Sequence, residues 1–145
     1  MTEQHYRFED MYPGLRFQYQ RQVSAEDIAD TVRLTGDRGG YHVDPEFARS
    51  AGFQGLIAPG LFTMSLLTKI GGDVNFLARE FQIAFLKPVK ALDTLNAEME
   101  VLTADPVTQL VTCRGTVTNQ DGVRVLESTI KGYLPKAEWG IPNRS

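Results

Sequence analysis

The chain has 145 residues, of which 42% are hydrophobic and 23% charged, and its formal net charge is −3. That length and composition suit one globular domain with a sizeable core. The slightly acidic balance excludes a general attraction to nucleic acid or to an anionic membrane surface.

Residues 1–10 mix Glu3, His5, Arg7, Glu9 and Asp10 and have no apolar centre, unlike a signal peptide. Leu15 to Val23 reads as a strand, with Leu15, Phe17 and Tyr19 alternating against Arg16, Gln18 and Gln20. Ser24 is placed as a helix N-cap with Asp27 three residues on, and Ile28 and Val32 recur at helical spacing up to about Leu34. The run Thr35-Gly36-Asp37-Arg38-Gly39-Gly40 reads as an irregular loop, and Asp44-Pro45 as the cap and first turn of a short helix. Pro59-Gly60 opens a helix to about Ile70. Its apolar residues cover nearly every side, so it is expected to be buried all round and to stop at Gly71-Gly72.

The rest reads as β structure. Strands are expected at Phe81 to Leu86, Thr94 to Leu102, Leu110 to Thr118 and Val123 to Leu134. Leu95, Ala97, Met99 and Val101 share one face, as do Val111, Cys113 and Val117. Asn119-Gln120-Asp121-Gly122 is a hairpin turn, and the less regular last strand points to a bulge. One domain over 1–145 is expected, with its core at about 8–134 and a surface tail at 135–145 carrying Gly140 and Pro142. The longest apolar stretch, Leu56 to Leu67, is broken by Pro59, Gly60, Thr63 and Ser65. It falls short of the roughly 20 residues a bilayer takes. The single cysteine cannot form an internal disulfide. A cytoplasmic protein with neither membrane nor nucleic acid as partner is therefore the expectation.

Asp37 and His42 are the candidate chemical pair. Imidazoles as a class titrate near neutrality, and a carboxylate can orient one or share a water with it. The alternative is that Asp37 caps a turn and His42 packs at the surface. The start of the Pro59-Gly60 helix carries free N–H groups and partial positive charge, which can stabilise a developing oxyanion, and Gly60 lets a ligand approach the backbone. An ordinary helix start is the alternative there. Cys113 faces inward as a small core residue, and no His/Cys cluster has metal-ligand spacing. Lys87 and Lys90 flank Pro88 and read as a solvated charged turn. An antiparallel sheet around one apolar helix leaves edges uncovered, which a second copy of the chain could close.

Two segments taken together resemble a known family. These are Gly36-Asp37-Arg38-Gly39-Gly40-Tyr41-His42-Val43-Asp44-Pro45-Glu46-Phe47-Ala48 and Leu56-Ile57-Ala58-Pro59-Gly60. They resemble the signature of the MaoC-like hot-dog hydratases and dehydratases, which include the (R)-specific enoyl-CoA hydratases. Phe85-Leu86-Lys87-Pro88-Val89, Asp93-Thr94 and Val117 to Gly122 are supporting matches, so the likeness spans about residues 8–134. It implies an α+β hot-dog fold, an antiparallel sheet wrapped around a long central helix. It implies a homodimer or dimer of dimers with the pantetheine arm along the dimer interface. It assigns Asp37 and His42 to water activation and the Gly60 N–H to the thioester carbonyl, and it puts Thr68 at the acyl pocket. No metal or redox cofactor is implied, since CoA or an acyl-carrier phosphopantetheine belongs to the substrate. The chain departs from the signature at Gly39-Gly40, where Asn-Pro is usual, and at Leu92, where a glycine is usual. The first departure suggests a loop that is more mobile without ligand or shaped for a different substrate, and with it an alternative role as an acyl-thioester-binding subunit that has lost catalysis or is active only with a partner. A hot-dog thioesterase is the other alternative, and the absence of a carboxylate from residues 60–70 counts against it.

Overall fold

The alternating segments become a five-stranded sheet in which every pairing is antiparallel. The strands are β1 (Arg16–Gln22), β2 (Leu77–Phe85), β3 (Thr94–Ala104), β4 (Val111–Thr118) and β5 (Arg124–Tyr133), in spatial order β1-β3-β4-β5-β2. The computed structural model describes residues 6–139. His5, and the Gly140 and Pro142 of the expected tail, lie outside the described residues. Among the described residues four α-helices lie between β1 and β2: α1 (Ala25–Thr35), α2 (Gly40–Val43), α3 (Pro45–Ser50) and α4 (Gly60–Asp73).

Local chemistry sets the helix starts. Ser24 Oγ accepts from the Asp27 N–H at 3.0 Å while Asp27 accepts from the Ser24 N–H at 2.9 Å, a closed capping box. Asp44 accepts from the Glu46 and Phe47 N–H groups at 3.0 and 3.3 Å, with Pro45 in the first turn of α3.

The sheet curls around α4. Phe62, Leu66, Leu67 and Ile70 of the helix join Leu95, Met99, Val101, Val111, Val117, Leu126 and Ile130 in one buried core. This is the expected α+β hot-dog arrangement. The expected bulge lies in β5, where Val117 pairs Leu126 but Thr118 pairs Arg124. Val125 and Leu126 are consequently both buried.

Two expectations about α4 need correction. The helix is not covered on every side: Leu61 is 54% exposed, and Ser65, Thr68 and Lys69 face outward. The sheet reaches around only one flank of the cylinder. Nor does the glycine pair stop it, because glycine tolerates helical dihedrals at a modest cost. The helix continues to Asp73 and ends where Asn75 turns left-handed at φ 58° and the Phe76 N–H reaches back to Gly71 O at 2.8 Å.

Candidate active site

Gly36 closes α1 in the left-handed region (φ 74°), its N–H on Val32 O at 2.9 Å. Asp37 follows directly. Its N–H donates to Thr35 Oγ1 at 3.1 Å, and its Oδ1 accepts from the Gly39 N–H at 3.2 Å. That bond holds the carboxylate at the mouth of the next turn, which winds into α2. His42 is the third residue of α2, not part of an irregular loop as the glycines suggested.

The imidazole is anchored at Nδ1 and faces a carboxylate at Nε2. Nδ1 lies 2.7 Å from Ile57 O. A carbonyl oxygen only accepts, so Nδ1 carries the hydrogen and, in the neutral ring, Nε2 presents a lone pair. Nε2 in turn lies 3.4 Å from Asp37 Oδ2. The imidazole side chain is 13% exposed and the carboxylate 52%, so the base is sheltered while its partner meets solvent.

Ile57 is the joint of the site. Its N–H donates to Tyr41 O at 3.0 Å, so both its backbone groups face α2. On its other edge it bridges Lys90, and the Ala58 N–H donates to Val89 O at 2.7 Å. Two residues later Pro59 turns the chain into α4, whose first residue is Gly60. The free amides of that helix start therefore stand a few residues from the carbonyl that anchors His42. The Phe85 ring lies across Gly60 so closely that a Cβ there would be 2.7 Å from its Cε1.

The family pattern for a MaoC like domain matches residues 11–123. This chain belongs to the MaoC-like family. A 3-hydroxybutyryl-CoA dehydratase of Methylorubrum extorquens is 27% identical over 141 residues, covering 93% of this chain and 88% of that protein. The 3-hydroxyacyl-thioester dehydratase Y of Mycobacterium tuberculosis is 35% identical over 95 residues, 61% of this chain and 32% of that one. Among solved structures, the unliganded R-hydratase of Pseudomonas aeruginosa superposes with a TM-score of 0.83 at 25% identity, covering 90% of this chain and 86% of that chain.

Gly39-Gly40, which departs from the MaoC-like signature, has a packing reason here. A Cβ on Gly40 would stand 2.5 Å from Phe47 Cδ1, and one on Gly39 would stand 3.3 Å from Asp37 Oδ1. The Phe47 ring sits on the bare Gly40 backbone and meets Tyr41 edge-on, with centroids 5.0 Å apart; Tyr41 meets Phe53 the same way at 5.9 Å. Leu92, the second departure, adopts φ 74°, a conformation natural to glycine. Two backbone bonds hold it there: Leu92 N–H to Val23 O at 2.8 Å and Asp93 N–H to Lys90 O at 3.2 Å.

Thr68 lies apart from these groups in the MaoC-like chain. It sits eight residues beyond Gly60, about 12 Å along the helix at about 1.5 Å per residue. Its side chain is exposed, and its hydroxyl donates to Ser65 O at 2.8 Å. Cys113 is buried in the core, which pushes its thiol up to about 12. Among the described residues no group of three or more His, Cys, Asp or Glu could hold a metal ion, and no helix is long and apolar enough to cross a membrane.

The sequence marks Asp93 only as half of the Asp93-Thr94 match, and Lys90 as a solvated charge. Asp93 is instead buried and accepts three bonds. They come from the Lys90 N–H, Lys90 Nζ and Gln120 Nε2, each at 3.0 Å. Burial pushes its carboxyl up, but the bonds from the Lys90 N–H, the Gln120 amide and the Lys90 ammonium outweigh it and hold it below the usual carboxylate range. Asp27 is also held low: burial raises it, while its bonds to the Ser24 N–H and Arg21 lower it further. A carboxyl whose folded pKa is depressed adds stability above the unfolded value of about 4, and that stability is lost as pH falls through the folded value. Thermal melts from pH 7 down to pH 3 should show a steep loss of Tm below about pH 4, and Asp93→Asn should flatten it. An unchanged acid limb in that variant would count against the assignment.

Proposed function

We propose that the protein is a lyase that reversibly hydrates a 2-enoyl thioester to the 3-hydroxyacyl thioester, using a water held between Asp37 and His42. One observation carries this reading. His42 Nδ1 is committed to Ile57 O, so the Nε2 lone pair and the Asp37 carboxylate, 3.4 Å apart, are two acceptors facing one spot. Two converging acceptors suit the two hydrogens of a single water, about 2.8 Å from each, whose oxygen lone pairs then point outward. As that oxygen bonds to C3, one of the two groups takes a proton from the water, and the same group then delivers it to C2, so the C2=C3 double bond is consumed and both groups end as they began. The Gly60 N–H and the α4 dipole stabilise the enolate-like thioester oxygen meanwhile. The chemistry is redox-neutral, and CoA or a carrier phosphopantetheine enters as part of the substrate. The names of the related dehydratases and hydratases support the same class of reaction.

The same reading includes a homodimer or dimer of dimers. The edge strand β2 is exposed at seven of its nine residues, and Leu61, Leu77 and Phe85 are 54%, 58% and 55% exposed. Sedimentation at the single-chain mass of 16.2 kDa would count against that assembly. A cytoplasmic setting belongs to this reading as well, supported by the one buried thiol.

The test is a mass-spectrometric assay over straight, branched and dicarboxylic 2-enoyl thioesters, reading a product heavier by one water. Release of free thiol instead would mark a thioesterase. The only carboxylate of α4, Asp73, closes the helix and is ion-paired to Lys69 at 2.6 Å, which does not favour that alternative. No gain of water on any thioester, with the protein folded, would sink the hydratase reading. Gly60→Ala should lower kcat/KM about 10-fold or more, because the new Cβ drives the Phe85 ring off its seat into the space proposed for the thioester carbonyl. Wild-type kcat/KM in that variant would remove Gly60 from the site.

A further inference from the structure

We infer that Asp93, far from His42 in sequence and not in contact with it, is a positioning residue that sets the orientation of the imidazole through a relay of backbone bonds. The relay has three links. The Asp93 carboxylate fixes the Lys90 N–H and ammonium, both at 3.0 Å, and so shapes the turn from Lys90 to Asp93. That turn forms one wall of the extended segment at Ile57 and Ala58, through the Lys90–Ile57 bridge and the Ala58 N–H to Val89 O bond. The opposite edge of Ile57 carries the carbonyl that receives His42 Nδ1–H, and the N–H that donates to Tyr41 O.

The clamp also gathers the neighbouring parts of the site. Val23 exchanges backbone bonds with this turn, its N–H to Asp93 O and its O from the Leu92 N–H, both at 2.8 Å. Val23 directly precedes the Ser24 cap of α1, the helix that delivers Asp37. From the other side, Gln120 of the β4–β5 hairpin donates to Asp93 Oδ1 and accepts from the Thr94 N–H, each at 3.0 Å. One buried carboxylate thus braces the chain leading to Asp37, the carbonyl under His42 and the approach to Gly60. A buried ionised carboxylate is retained only where its bonds are made; an asparagine there has one oxygen for the three donors and sets its own N–H groups against at least one of them, leaving the turn free to relax. The left-handed Leu92 in the same turn raises the tendency to relax.

The kinetic arm rests on the proposed hydration, whereas the spectroscopic arm does not. 15N-edited spectra of His5→Gln protein report which ring nitrogen of His42 carries the hydrogen. Asp93→Asn and the milder Gln120→Ala are compared with Asp105→Ala, which removes a carboxylate from the distant β3–β4 turn, where it accepts from the Val107 N–H at 2.8 Å. The expected result is a single Nδ1–H form in the parent and in Asp105→Ala, and mixed tautomers in Asp93→Asn and Gln120→Ala. With an active thioester, kcat should fall about 10-fold in Asp93→Asn with KM within about twofold, since misplacement of the base costs rate more than binding. A folded Asp93→Asn that keeps the Nδ1–H form overturns the inference, as does one that keeps the parent kcat. If Asp93→Asn does not fold, Gln120→Ala decides by the same tautomer readout. If no thioester is hydrated by the parent protein, the hydration reading fails while the spectra still decide the relay.

Discussion

Asp37→Asn is expected to lower hydration turnover by about 10²-fold or more while leaving the melting temperature close to that of the parent, and His42→Ala should lower turnover as much and still fold. Asparagine keeps an oxygen for the Gly39 N–H, now at 3.2 Å, and the side chain is half exposed, so folding has little reason to respond. What changes is the second atom. An amide nitrogen is a donor, so it offers the water no second acceptor and points hydrogens at the Nε2 lone pair. His42→Ala removes the other acceptor and leaves Ile57 O unpaired beside a largely sheltered ring site. Because both groups act on the same water, the double variant should be no slower than the slower single one. Initial rates by mass spectrometry, beside thermal melts, check all three proteins. Near wild-type rates in both single variants would dismiss the assigned roles.

Gly132→Ala is expected to be among the most damaging single-methyl additions, at about 3 kcal/mol, or a fall in Tm of several degrees. The added Cβ would overlap the Leu77 carbonyl oxygen and lie 2.9 Å from Ala78 Cα. Both obstacles are main chain, and both belong to β2, where the register with β5 shifts between Ala78 and Glu80. Rotamer changes cannot relieve such an overlap, so the edge strand must move as a whole. Gly72→Ala in α4 is the contrast. Its Cβ would meet nothing within 4 Å, and alanine is the better helix former by up to about 1 kcal/mol. Calorimetry of the two variants should therefore give shifts of opposite sign. Equal or reversed shifts would show that β2 yields more readily than its register implies.

Much of this molecule is legible along the chain because its information is local. Ser24 with Asp27, Asp44 with Pro45, and Asn119 to Gly122 each declare a turn or helix start within four residues, and all form as expected. The inward faces of β3 and β4 follow from alternation alone. Asp37 and His42 were found in the same way, as two chemical side chains in one short segment, and they do converge. The failures are non-local. Glycine's permissiveness hid α2, whose Gly40 is required by a ring on α3. The open flank of α4 depends on how far the sheet curls, which no pattern within the helix encodes. The Asp93 carboxylate reaches Gln120, 27 residues on along the chain, and its only local sign is a carboxylate beside a left-handed turn.

The lock on His42 also has an evolutionary side. Its acceptor is a peptide carbonyl, which every amino acid supplies, so drift at position 57 cannot delete it. Side-chain acceptors in comparable roles vanish with a single codon change. Proline is the exception: it lacks the N–H that Ile57 gives to Tyr41 O, and its ring would disturb the backbone on the edge facing α2. The chemistry at this position is thus heritable through the fold more than through the residue, and a comparison of sequences would pass over it.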